Sequence, residues 1–150
     1  MVSLIDDPVM KQRLSFRPAE GEDAVLVDMW VEPGGGVPPH VHPSMEERFE
    51  VISGELSFLA GRKWQTAGVG ESVVVPAGTR HAYRNSGAEP AHGVCHASPA
   101  QSLEEFLTDA AAMARDGKIT RHGLPKSPAA LVQVLRMALR HRRMVVMRPL

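Results

Sequence analysis

Gly34-Gly35-Gly36-Val37-Pro38-Pro39-His40-Val41-His42-Pro43-Ser44-Met45-Glu46-Glu47-Arg48-Phe49-Glu50-Val51-Ile52-Ser53-Gly54 is the stretch that decides the fold. Its two histidines are separated by one residue, and a strand repeats its side-chain direction every second residue. With residues 39–42 extended, both imidazoles leave the same face of a sheet. Pro38, Pro39 and Pro43 argue against a helix here and for an extended or edge segment. A carboxylate follows, Glu46 or Glu47, and leads into Phe49-Glu50-Val51-Ile52, a strand that ends at the Ser53-Gly54 turn. Neutral imidazoles and a carboxylate converging on one face are what a first-row transition metal takes as ligands.

A second stretch completes the pattern: Gly70-Glu71-Ser72-Val73-Val74-Val75-Pro76-Ala77-Gly78-Thr79-Arg80-His81-Ala82-Tyr83-Arg84-Asn85. Three valines read as a short apolar strand, Pro76-Ala77-Gly78 as a turn, and His81 as the start of the next extended piece. The two stretches together resemble the cupin family. Its first motif, G-(x)5-H-x-H-(x)4-E-(x)6-G, is met at Gly34, His40, His42, Glu47 and Gly54. Its second, G-(x)5-P-x-G-(x)2-H-(x)3-N, is met at Gly70, Pro76, Gly78, His81 and Asn85. Every offset is kept, over roughly residues 10–100, while the C-terminal third is left unexplained. The resemblance implies a metal held by His40, His42, Glu47 and His81, with Glu46 left as a solvated or supporting carboxylate. The implied cofactor is one divalent transition ion (Mn, Fe, Co, Ni, Cu or Zn), among which the residues do not choose. The implied fold is all-β: a double-stranded β-helix, or jelly roll.

The strand pattern around these motifs agrees. Residues 24–32 alternate, with Val25, Val27, Met29 and Val31 forming a wholly apolar face. Residues 55–60, 61–68, 81–85 and 91–97 read as further strands or hairpins, with turn signals between them. After Ser98-Pro99 the period becomes helical. Ser102 with Glu105 forms a capping-box pattern, followed by Leu103, Phe106, Leu107, Ala110, Met113 and Ala114, and Gly117 ends the run. A second helix starts near Ser127-Pro128, with Leu131, Val134, Leu135, Ala138 and Leu139 as its expected apolar face. The expected organisation is a barrel over residues 1–100 and a helical extension over residues 101–150, packed on the barrel or on a partner subunit.

The 150 residues suit one domain, and 43% hydrophobic content with zero formal net charge describes an ordinary globular chain. No basic and apolar leader opens the sequence, and no apolar run reaches the length of a membrane span. One cysteine, Cys95, excludes an internal disulfide and fits a reducing compartment, so a cytoplasmic protein is expected. Charge is unevenly placed: residues 117–150 hold eight basic side chains and no acid, against nine basic and 17 acidic in residues 1–116. That asymmetry points the tail toward an acidic partner, the barrel of the same chain or of a second subunit, and a homodimer is expected. A basic amphipathic helix can also lie on an anionic membrane, a lesser expectation. Nucleic acid is not expected, since charge is its only support.

Alternation also selects the neighbours of the expected ligands. Phe49 and Val51 share the face of Glu47, and Tyr83 and Asn85 share that of His81. Tyr83 and His96 are the expected catalytic side chains, the first as a hydrogen-bond donor to substrate and the second as a proton carrier; the alternatives are a core Tyr83 with its hydroxyl satisfied and a His96 on an exposed face or at the rim. Asn85 is expected to fix its turn, His92 to lie at the rim, and Cys95 to be a small buried hydrophobe. The resemblance to small quercetinase-like cupins that keep all four ligands implies a metal-dependent oxygenase acting on a small oxygen-bearing substrate. A non-redox isomerase or polyketide-type cyclase and a non-catalytic binding or sensing module are the alternatives. One barrel hosts all three.

Overall fold

The strand Val25–Val31 shows how this sequence builds its fold. Its odd-numbered residues are buried and the even ones between them half-exposed, the period of two that a sheet with one covered face requires. The computed structural model describes residues 3–149. Met1, Val2 and Leu150, the outer ends of the two expected units, lie outside the described residues. In chain order the elements are Ile5–Asp7 (β1), Gln12–Pro18 (β2), Val25–Val31 (β3), Gly36–Val41 (β4), Glu46–Ser53 (β5), Leu56–Ala60 (β6), Lys63–Ala67 (β7) and Ser72–Val75 (β8). His81–Arg84 (β9), Ala91–Ser98 (β10), Leu103–Arg115 (α1), Pro128–Arg140 (α2) and Val146–Met147 (β11) follow.

Two antiparallel sheets result, with strand orders β1-β2-β3-β10-β5-β8 and β11-β4-β9-β6-β7. One buried cluster draws on both: Leu14, Val27, Met29, Phe49 and Val51 from the first, Leu56, Phe58 and Tyr83 from the second. Burying such side chains contributes roughly 1.5–3 kcal/mol each. The expected all-β jelly roll with C-terminal helices is therefore the fold observed. Gly36 makes one close approach possible. It sits at φ +145°, and a β-carbon there would stand 2.1 Å from the Tyr83 carbonyl oxygen. Only glycine lets β4 lie this tightly on β9.

Helix α1 packs against β1, where the Arg115 guanidinium donates to the Asp6 carbonyl at 2.8 Å. It ends at Gly117, φ +67°. Ser102 occupies the N-cap position, but its hydroxyl bonds to His141 Nδ1 at 2.7 Å and makes no cap bond. That corrects the expected capping box: a partner 39 residues away outcompetes the local amides. Helix α2 starts as expected, with Ser127 Oγ accepting the Ala130 amide at 3.0 Å and Pro128 in the first turn.

Its inward face keeps only Val134 of the expected stripe. Ala130 is buried, and Val134 and Met137 pack on Met113, Ala114 and Ile119. Leu131, Leu135 and Leu139 are 45%, 59% and 63% exposed. Beyond α2 the chain turns at His141 and comes back to the barrel. Met144 and Val145 enter the core, and β11 pairs with β4. The extension is thus helical only in part.

Candidate metal centre

Each candidate ligand is delivered by local strand chemistry. β4 and the residue after it carry His40 and His42, β5 carries Glu47 on its buried parity, and β9 opens with His81. One ligand atom from each lies within 4.8 Å of the other three. Two atoms that each stand about 2.1 Å from one ion are at most about 4.2 Å apart. Sub-ångström side-chain adjustments bring the four into that range. His42, Glu47 and His81 are buried, and His40 is half-buried. Glu46 points outward to solvent.

Backbone carbonyls orient all three rings. His40 Nδ1 donates to the Pro38 carbonyl, His81 Nδ1 to Thr79 and His42 Nδ1 to Met144, each at 2.8 Å. A carbonyl only accepts, so each ring carries a proton on Nδ1 and turns Nε2 inward, the nitrogen that would face an ion in exchange for any proton it shares with Glu47. Nε2 of His42 and of His81 stand 2.9 and 2.7 Å from the same carboxylate oxygen, Glu47 Oε1. The other oxygen, Oε2, accepts the Cys95 thiol at 3.0 Å.

Burial pushes His40 down to about 3, helped by the charges of His81 and His42, so it is a neutral ligand at pH 7. Burial also opposes charge on His42, but the hydrogen bond and charge of Glu47 outweigh it and raise that ring. Glu47 is driven the other way. Its burial is overcome by the hydrogen bonds and charges of His42 and His81, which hold it well below the ordinary carboxylate range. Burial and the neighbouring carboxylate lift the Cys95 thiol well above its usual range, so it remains a donor.

Tyr83 faces inward on the parity of His81, between Phe49 and Phe58. Its hydroxyl donates to Gln12 Oε1, and burial raises it far above the ordinary phenol value. Asn85 fixes its turn as expected, donating to the Val31 and Glu89 carbonyls and accepting the Gly87 amide.

The expectation for His96 is corrected. β10 buries Ala91, Gly93, Cys95 and Ala97 and turns His92, Val94 and His96 outward. His96 pairs with Glu22 at 3.1 Å on the outer wall, and His92 stacks on Trp30 and pairs with Asp28. The register explains why: Cys95 lies opposite Phe49, and Ala97 opposite Glu47, so this parity faces the centre. Sequence reasoning missed Cys95 as a partner of Glu47, Gln12 as a partner of Tyr83, and the Met144 carbonyl. Only the first carried a signal, its parity, and that signal needs the β5–β10 pairing to be readable.

A family model for the cupin domain matches residues 27–96, which hold all four candidate ligands. A curated relative, polyketide synthase CurC of Streptomyces cyaneus, is 30% identical over 109 residues, covering 67% of this chain and 71% of CurC. A solved structure from Klebsiella pneumoniae, a conserved protein with a double-stranded β-helix domain, is 30% identical at a TM-score of 0.50. The match covers 57% of this chain and 84% of that one. An RmlC-like cupin from Shewanella frigidimarina matches at a TM-score of 0.61 and 19% identity, over 71% of this chain and 89% of that one. At that identity the likeness concerns the fold alone.

Proposed function

This chain belongs to the cupin family, and from that premise we propose that it is a metal-dependent enzyme acting on a small oxygen-bearing organic substrate, in the first place as an oxygenase. The observation that carries the reading is the convergence of three imidazoles and one carboxylate, with each ring already turned by a carbonyl behind it. A bound ion supplies Lewis-acid polarisation of a substrate oxygen and, where redox-active, electrons for reaction with O₂. The chain's own residues do the rest. Pro38, Thr79 and Met144 hold the rings, and the Cys95 thiol restrains one oxygen of Glu47 so that the other faces the histidines. Phe49, Val51 and Phe58 keep water from the inner side. His40, the half-exposed member, marks the side from which substrate arrives.

The oxygenase reading is favoured by what surrounds the ligands. Tyr83 is engaged with Gln12, and His92 and His96 face outward. Among the described residues, no histidine outside the ligand set is left inside the barrel to move protons for a cyclisation. The likeness to CurC supports a second reading on the same site: a polyketide-derived phenol or enolisable ketone, cyclised or isomerised by Lewis-acid action without O₂.

The test is metal analysis of protein purified without added metal, then turnover of a simple 1,3-diketone and a polyhydroxylated aromatic with and without air. Product with matching O₂ uptake supports the oxygenase, and product formed anaerobically supports the second reading. Metal-loaded protein that turns over neither overturns both in favour of a binding module. His42→Ala and Glu47→Ala should each strip most of the metal from a folded barrel. Full occupancy in both variants would overturn the ligand assignment.

A further inference from the structure

We propose that the C-terminal segment, residues 144–149, is a working part of the metal centre: a strap that sets the orientation of His42 and the path of the strand bearing His40, with Arg80 as its fastening. The inference rests on the metal-centre reading above and goes beyond it, since the family match ends at residue 96.

The three histidines are not supported alike. His40 and His81 each donate to the carbonyl two residues before them, a contact their own strands provide. His42 donates to Met144, 102 residues further along the chain. Its ring orientation is therefore set by the tail. A carbonyl behind a metal-binding imidazole fixes both its tautomer and its aim.

The strand carrying His40 depends on the same segment. Val146 and Met147 pair with Val41 and His40, and the Arg148 amide donates to the Pro39 carbonyl at 3.1 Å. β11 is the edge strand of this sheet, so without it β4 presents its amides and carbonyls to water beside the ligands. Two further contacts tie the strap down. Met144 and Val145 are buried in the main core. Arg80, the residue before His81, donates through Nε to the Arg148 carbonyl at 2.8 Å and through Nη2 to the Pro149 carbonyl at 3.1 Å. The fastening thus runs from the loop of one ligand, through the tail, to the strand of two others. Arg80 touches no ligand atom in this arrangement and acts as a positioning residue.

Three variants test it: Arg80→Ala, Arg80→Lys, and a chain ending at Val145, which keeps the Met144 carbonyl and both core anchors. Two readouts are taken on each. One is Co²⁺ titration followed by visible absorption, and the other is the ¹⁵N ring signals of His42 in metal-free protein. Circular dichroism establishes that each variant is folded. The expected result is a Co²⁺ affinity lowered about 10- to 100-fold in Arg80→Ala and in the shortened chain. The His42 Nδ1 signal should move toward that of a nitrogen without a hydrogen-bond partner in both, and Arg80→Lys should recover part of the loss through one remaining bond. Wild-type affinity together with unmoved His42 signals in both variants overturns the proposal. If the shortened chain does not fold, Arg80→Ala decides alone. If the wild type takes up no Co²⁺, the metal reading falls, and the ring signals still judge the strap.

Discussion

At the scale of single residues, the thiol of Cys95 divides the labour of a carboxylate. One oxygen of Glu47 is occupied by the thiol and the other is offered to two imidazoles. Cys95→Ala leaves a buried charged oxygen without its donor, which should cost about 1–3 kcal/mol of stability and weaken metal binding. Cys95→Ser keeps a donor and should stay close to wild type in both. Denaturation midpoints and a metal titration on the two variants check this. Equal behaviour of Ser and Ala would show that the contact is idle. The residues of the centre were legible because their spacing is written within two short stretches of sequence, residues 34–54 and 70–85. Cys95 was read only as a small buried hydrophobe because its importance depends on which strand lies beside it. His96 was misread for the same reason: alternation gives two faces, and the pairing of β10 with β5 chooses between them.

At the scale of elements, α2 shows the limit of periodicity. Apolar side chains cover more than half of its circumference, so several stripes satisfy a helical period. The expected face is Leu131, Val134, Leu135, Ala138 and Leu139, and contact with α1 keeps Val134 but adds Ala130 and Met137 in place of the three leucines. Met137→Ala should therefore destabilise the chain by about 2 kcal/mol or more, and Leu135→Ala by no more than about 0.5 kcal/mol. Thermal melts at two protein concentrations check both. A large loss in Leu135→Ala that appears only at the higher concentration would mean that a second copy covers this stripe. The same element carries Arg136 and Arg140, and the barrel carries the acidic excess.

At the scale of the whole molecule, the joint between helices and barrel carries a pH dependence. His141 is 2% exposed, bonds to Ser102 through Nδ1, and lacks a hydrogen-bond partner at Nε2. Burial, with the nearby Arg140 charge, lowers it from 6.5. Above pH 6.5 neither folded nor unfolded chain holds this proton and its full contribution to stability is present. As the pH falls below 6.5 the unfolded chain takes up a proton that the folded chain refuses, so stability declines. The slope from one such group is at most about 1.4 kcal/mol per pH unit. His141→Gln should flatten the decline between pH 6.5 and 5, measured as urea midpoints against pH. The histidines of the centre are common to both proteins and cancel in the comparison. An identical slope would place the proton elsewhere. The two-sheet barrel itself was readable from strands and turns because its contacts follow local alternation. The return of the tail was not, since nothing short-range announces that residue 144 meets residue 42.

That return also sets an order of events during synthesis. His42 leaves the ribosome about a hundred residues ahead of the carbonyl that aims it, while every strand up to β10 except β4 already has all its partners in the nascent chain. Chains fold as they emerge, N-terminal parts first. An ion arriving before residue 144 would therefore meet a ring still free to swivel, and the grip would tighten only once that carbonyl is in place.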